Sequence, residues 1–189
     1  MGADSSADPL IPHASFRAMS PILRFYRGEG GDQLGRTLAE IQGLDVMRME
    51  YFHDFIQWMF PLFQPSKYNP DAPVLTDDDV KAFHDRPDLR ANLRTSFVAF
   101  LAFLGLEFDA EKNEVRASSR FAERCSVFAT PNHNWLRITR VLLSLKTLGL
   151  DAECRAFFTF LNALHEEPVG ITDMTFAYWR DAAEGKSRS

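Results

Sequence analysis

The chain has 189 residues, 46% of them hydrophobic and 25% charged, with 21 basic against 26 acidic side chains and a net charge of −5. That is the composition of one globular domain, and an acidic balance with scattered arginines excludes the basic block or stripe on which nucleic-acid binding rests. No apolar run approaches the roughly 18 residues of a membrane-spanning helix, and seventeen Phe point to an aromatic core.

In chain order, residues 1–14 lack the basic and apolar regions of a secretory signal. They read as a disordered leader, with 185–189 as a disordered tail and 15–184 as a single helical domain. Ser20-Pro21 opens a short helix to Tyr26, because Ser caps and Pro suits the first helical position. A glycine-rich loop follows, then a short helix over 37–42 that ends at Gly43. Asp45 is placed to cap a helix over 46–60, stopped by Pro61 and Pro65. Thr76 with Asp77, Asp78 and Asp79 starts the next helix, where the helix dipole favours acids. Pro87 opens another, running to a stop at Gly105. The charged stretch 107–116 reads as a hairpin or an irregular loop. Ser118 or Ser119 is positioned to cap a helix to Phe128, and Thr130-Pro131 breaks it. A helix over 132–148 ends at Gly149, Asp151 is placed to cap the next, to about 165, and Thr172 the last, to about 183. Apart from the two short helices at the start, six or seven helices with almost no strand pattern predict an all-α, irregular orthogonal bundle.

Two of these helices are too apolar for a surface. Over 46–60, hydrophobic residues surround a thin polar stripe of Glu50, His53 or Asp54, and Gln57. Over 132–148 the stripe is His133, Arg137, Arg140 and Ser144. Both have helical spacing, so each stacks on one face. A helix that is hydrophobic nearly all round is buried, and a buried unpaired charge costs several kcal/mol. The two stripes are therefore expected to face each other or a shared cavity. One reading is a buried ion-pair network that fixes helix register. The other is a pocket in which Arg137 or Arg140 grips an anion while His53 or His133 moves a proton near neutral pH.

The run His53-Asp54-Phe55-Ile56-Gln57-Trp58-Met59-Phe60-Pro61-Leu62, the loop Ser66-Lys67-Tyr68-Asn69, and His133-Asn134 followed by Leu136-Arg137-Ile138-Thr139-Arg140 resemble the conserved region of the opioid growth factor receptor family. Phe25-Tyr26 fits the start of that region, and the resemblance extends to about Leu164. It implies an all-helical domain and, for the animal receptor, binding of the small opioid peptide Met-enkephalin and growth inhibition at the nucleus. The chain reads as a short, stand-alone member.

The resulting expectation is a module that binds a small molecule or short peptide, anionic or carboxylate-bearing, between the His53 and His133 helices. Arg137 and Arg140 would hold the anion, Trp58, Tyr68 and Trp135 would form apolar walls, and Glu50, Gln57, Asn69 and Asn134 would also face the ligand. The alternative is an enzyme of cyclase, lyase or condensation type in the same pocket. It would need no cofactor, and would use His53, oriented by Asp54 or Glu50, with His133 as its partner. Glu50-x-x-His53 has the spacing of di-iron bundles, but one copy supports no such site, and no metal is expected. Cys125 and Cys154 form no metal or disulfide pattern. No nucleic-acid or membrane partner is expected, and the location is cytoplasmic, with the nucleus as the alternative that the resemblance implies.

Overall fold

The computed structural model describes residues 19–187, so the expected leader and the last two residues of the expected tail lie outside the described residues. The expected all-α architecture is present, with one small hairpin. In order, the helices are α1 (Pro21–Tyr26), α2 (Leu38–Gln42), α3 (Val46–Tyr51), α4 (Ile56–Met59), α5 (Asp77–Asp85) and α6 (Pro87–Phe103). The strands β1 (Leu106–Asp109) and β2 (Glu114–Ala117) come next. After them stand α7 (Phe121–Arg124), a 3₁₀ turn (Cys125–Phe128), α8 (His133–Thr147), α9 (Asp151–Glu166) and α10 (Asp173–Ala183).

Local chemistry explains most of these boundaries. Ser20 accepts the Leu23 N–H at the start of α1. Thr37 with Glu40 and Thr76 with Asp79 form reciprocal capping boxes on α2 and α5, which satisfies N–H groups that have no partner inside the helix. Asn132 and Thr172 cap α8 and α10. Gly105 ends α6 with φ +79°, and a Cβ there would lie 2.9 Å from Cβ of Arg124. Glycine thus lets α7 pack closely against the end of α6.

Three local expectations change. No side chain caps α7, which starts at Phe121; the Ser118 hydroxyl accepts the Arg120 N–H at 3.2 Å and donates to the Gly105 carbonyl at 2.7 Å, and 118–128 forms one α-turn followed by the 3₁₀ turn. Asp151 sits at the first helical position of α9 instead of before it, and its carboxylate pairs with Lys146. The helix expected over 46–60 is broken into α3 and α4. Stretch 107–116, open between loop and hairpin, is the antiparallel hairpin, with Leu106 opposite Ala117 and its turn using Asn113 at φ 51°.

The core is aromatic, as the composition implies. Phe100 meets Phe60 at 5.9 Å and Phe97 meets Phe157 at 5.7 Å, both edge to face. Tyr26 is fully buried and donates to the Met59 carbonyl at 2.5 Å. Helix α8 runs through the centre, with Ile138, Val141, Leu142 and Leu145 wholly buried. Its position lets one polar stripe reach the interrupted segment between α3 and Pro61. Among the described residues no helix is long and apolar enough to cross a membrane.

Candidate functional site

The break between α3 and α4 organises the site. Phe52 is extended, with φ −83° and ψ 136°, so the carbonyls of Met49 and Phe52 lose the amides that a continuous helix would offer them. Arg137 of α8 replaces those donors. Its Nη1 donates to the Met49 carbonyl at 2.8 Å and its Nη2 to the Phe52 carbonyl at 2.7 Å. The same two nitrogens also donate to Asn134 Oδ1 at 3.0 Å and to His53 Nδ1 at 3.2 Å. Four of the five guanidinium N–H groups are thereby engaged. Arg137 is 5% exposed and lies over the rings of Phe55 and Phe103. Burial pushes its pKa down to about 10, opposed by the charge of Glu50, so it stays protonated at neutral pH.

The rest of the α8 stripe works the same way. Arg140 Nη1 donates to the Phe60 carbonyl at 3.1 Å, and Ser144 Oγ to the Pro61 carbonyl at 3.1 Å. The two expected stripes do face each other, but the acceptors opposite Arg137, Arg140 and Ser144 are mainly backbone carbonyls rather than carboxylates. Nor is 46–60 buried all round. Met47 is 82% and Tyr51 80% exposed, because a six-residue α3 buries only its Met49 face.

Glu50 is the exception, a carboxylate with three side-chain partners. Its Oε1 accepts from Asn134 Nδ2 at 3.1 Å and lies 3.1 Å from His133 Nε2, within ion-pair distance, and its Oε2 accepts from Arg124 Nη2 at 3.0 Å. Burial alone would raise its pKa. The bonds from Arg124 and Asn134 and the charges of His133 and Arg124 outweigh that and hold it below the usual carboxylate range. The ring of His133 meets that of His53 edge to face, with centroids 4.8 Å apart. These partners dictate the tautomers. His53 Nδ1 faces a guanidinium donor, so it offers its lone pair and the neutral ring carries its proton on Nε2. His133 Nε2 lies 3.1 Å from a Glu50 carboxylate oxygen, which favours a proton over a lone pair on that nitrogen, so its neutral ring keeps a lone pair on Nδ1. Both rings are exposed, and outward they present one fixed donor and one fixed acceptor.

Burial, with the charges of Arg137 and His53, pushes the His133 pKa below its ordinary 6.5, against the pull of Glu50. An ¹H–¹³C NMR titration is therefore expected to place the His133 midpoint below 6.5. Because the unfolded chain takes up this proton first, stability falls as the pH drops from the ordinary histidine value through the depressed one, then levels off. His133→Asn should remove that dependence. A His133 midpoint above 6.5 would contradict this account of its surroundings.

The remaining expected residues separate into groups. Asp54 pairs with Arg36 at 2.9 Å, not with His53, and Arg36 is also held by the buried Asp32. Asn69 Nδ2 donates to the Asp54 carbonyl at 2.8 Å. Trp58 is buried and its indole N–H donates to Gln33. Trp135 is buried on another side, bonded to the Val127 carbonyl at 2.8 Å. Tyr68 is 69% exposed. Gln57 is buried; its Nε2 donates to Ser66, while its Oε1 has no hydrogen-bond partner among the described residues. Arg124, Arg36, Asp32 and Gln33 were not anticipated. Arg124 meets Glu50 across 74 positions, and no local pattern announces such a contact. Among the described residues no group of three or more His, Cys, Asp or Glu is arranged to hold a metal ion. Burial pushes the Cys154 thiol up to about 12, and Cys125 is exposed.

Residues 23–186 match the family described as the opioid growth factor receptor (OGFr) conserved region. The chain is 36% identical over 104 residues to the opioid growth factor receptor of Mus musculus, covering 54% of this chain and 16% of that protein. It is 36% identical over 138 residues to that of Rattus norvegicus, covering 68% and 23%. It is 29% identical over 155 residues to opioid growth factor receptor-like protein 1 of Mus musculus, covering 79% and 32%. The chain thus spans less than a third of the length of these relatives. No solved structure matches it.

Proposed function

The chain belongs to the family of the opioid growth factor receptor conserved region, and on that premise we propose that it is a helical recognition module binding a short peptide or small carboxylate-bearing molecule on the face formed by His53, His133 and Arg140. The observation that carries this reading is Arg140. It is half-buried, makes one hydrogen bond, to the Phe60 carbonyl, and has no carboxylate within ion-pair distance among the described residues. Burial alone pushes its pKa down to about 10. A desolvated charge without a counter-charge is unfavourable, and a ligand carboxylate would supply one, in bonds that Arg137 has little left to make. Arg140 follows His133 by two helical turns, roughly 10 Å along α8. The fixed donor of His53 and acceptor of His133 match the C=O and N–H of an amide. An amide about three extended residues before a terminal carboxylate would span that distance. The relatives' names describe receptors for an opioid growth factor, so ligand recognition agrees with the family.

The test is an NMR titration with Met-enkephalin and with tripeptides carrying either a free or an amidated C-terminus. The free acids are expected to bind about tenfold more tightly, the value of one charge-assisted hydrogen bond. Arg140→Gln should erase that difference, and His53→Ala should weaken both forms. Equal affinity for acid and amide in the unmodified protein would sink the assignment to Arg140.

A second reading rests on the Glu50–His133 contact of 3.1 Å, a carboxylate-oriented imidazole of the kind used in acid–base chemistry. Under that reading the same pair carries out a cyclisation, lyase or condensation step. His133→Asn would then bind substrate normally and turn none of it over.

A further inference from the structure

A second concavity opens between α3 and the C-terminal half of α6, a cleft of about 390 Å³. That volume lies in the range of small-molecule sites. Leu44, Val46, Met47, Met49, Ala102 and Phe103 line most of it, with Arg120 at the rim. None of the family-like motif residues contributes to it.

Its position relates it to the histidine face. Val46 and Glu50 are four residues apart on α3, so they share one side of that helix, and Arg120 and Arg124 are four residues apart across the start of α7. Val46 and Arg120 line the cleft, whereas Glu50 and Arg124 form the ion pair beside His133. The cleft therefore lies about one helical turn, ~5 Å along α3, from the Glu50–Arg124 pair that stands beside His133. Two wall groups are common to both sides. Phe103 lines the cleft and lies 4.8 Å beneath the Arg124 guanidinium, and Met49 lines it while its carbonyl holds Arg137.

We infer that this cleft is an apolar subsite for the ligand of the histidine face, receiving one aliphatic or aromatic group attached next to the amide that His53 and His133 engage. The inference rests on the proposed binding function for that amide, but not for the cleft itself. Thioether side chains suit such a role, because Met adapts its shape to the group it covers. Ala99 and Ala102, one turn apart on α6, give the cleft its depth, and Met47 at 82% exposure stands free to fold over an occupant.

The experiment uses N-acetyl amides of glycine, alanine, leucine and phenylalanine, and separately the n-alcohols from butanol to octanol. The readouts are the methyl NMR signals of Met47, Met49 and Ala102 and the ring signals of His53 and His133. Both probe series are expected to shift the Met47 and Met49 methyls. Affinity should rise about fourfold per methylene among the alcohols, the equivalent of ~0.8 kcal/mol per buried CH₂. Ala102→Leu, at an exposed position where a larger side chain leaves the core intact, should fill the cleft. It should abolish the methyl shifts while glycinamide still moves the histidine signals. Alcohols that bind while no amide moves the histidines would overturn the shared ligand and leave the cleft an independent apolar site. Methyl signals unmoved by leucine amide, phenylalanine amide and octanol, or shifts that persist in Ala102→Leu, would overturn the subsite.

Discussion

Replacing Arg137 by methionine is expected to destabilise the protein by on the order of 3–5 kcal/mol, the usual cost of removing one member of a buried charged network. Methionine keeps much of the aliphatic volume over Phe55 and Phe103 but none of the donors. The Met49 and Phe52 carbonyls, Asn134 Oδ1 and His53 Nδ1 would all lose the partner they now share. The two carbonyls belong to a backbone that has already given up its helical hydrogen bonds, so no local rearrangement of α3 restores them without rebuilding the break. Arg137→Lys should recover only part of the loss, since a single ammonium lacks the planar fork that reaches two carbonyls at once. Urea unfolding of both variants measures this. A loss below about 1 kcal/mol for Arg137→Met would mean that the break is held by something other than this guanidinium. Because the effect acts on folding, the arginine suited to a binding test is Arg140, with its single hydrogen bond to the Phe60 carbonyl.

Trp179→Ala is expected to cost a similar ~3–5 kcal/mol, the range for deleting a large aromatic from a close-packed core. Trp179 is 0% exposed. It donates to the Trp135 carbonyl at 3.1 Å and packs edge to face on the Trp135 ring at 6.1 Å. Trp135 in turn donates to Val127. One chain of contacts therefore ties α10 to α8 and α8 to the 3₁₀ turn, and truncation at its end leaves a void and removes the indole hydrogen bond, while the Trp135 carbonyl keeps the Thr139 hydroxyl. Trp179→Phe should lose less, since it keeps most of the volume and gives up mainly the indole hydrogen bond, about 1 kcal/mol. Denaturant melts followed by far-UV circular dichroism give both values. Equal losses for Ala and Phe would assign the stability to the hydrogen bond instead of the packing.

Most of the fold was legible because its boundaries are written in local chemistry. Ser20-Pro21, Thr37 with Glu40, Thr76 with Asp79, Asn132 and Thr172 each satisfy orphan amides within a few residues of themselves, and Gly105 and Gly149 take up the positive φ that ends a helix. The apolar period of 132–148 likewise marked the central helix and the face on which His133, Arg137, Arg140 and Ser144 stand. Family membership followed from the order of residues in two short signatures.

The break at Phe52 was not legible, because 46–60 has helical periodicity throughout, and nothing within it forbids the helix. What decides against it is a guanidinium 85 positions away that offers the Phe52 carbonyl a better-placed donor, together with Asn69 and Gln33 holding the Asp54 carbonyl from two other loops. The same long-range contacts decided the chemistry of the candidate site. Sequence alone placed Glu50 and His53 on one polar stripe and His133 and the two arginines on another, expected to face each other or a shared cavity. Only the tertiary structure assigned Arg137 to the backbone and Glu50 to His133, and left Arg140 with no carboxylate partner among the described residues. The physical reason is that periodicity specifies which side of a helix a residue occupies, whereas the partner of a buried polar group depends on every donor and acceptor that packing brings within about 3 Å of it.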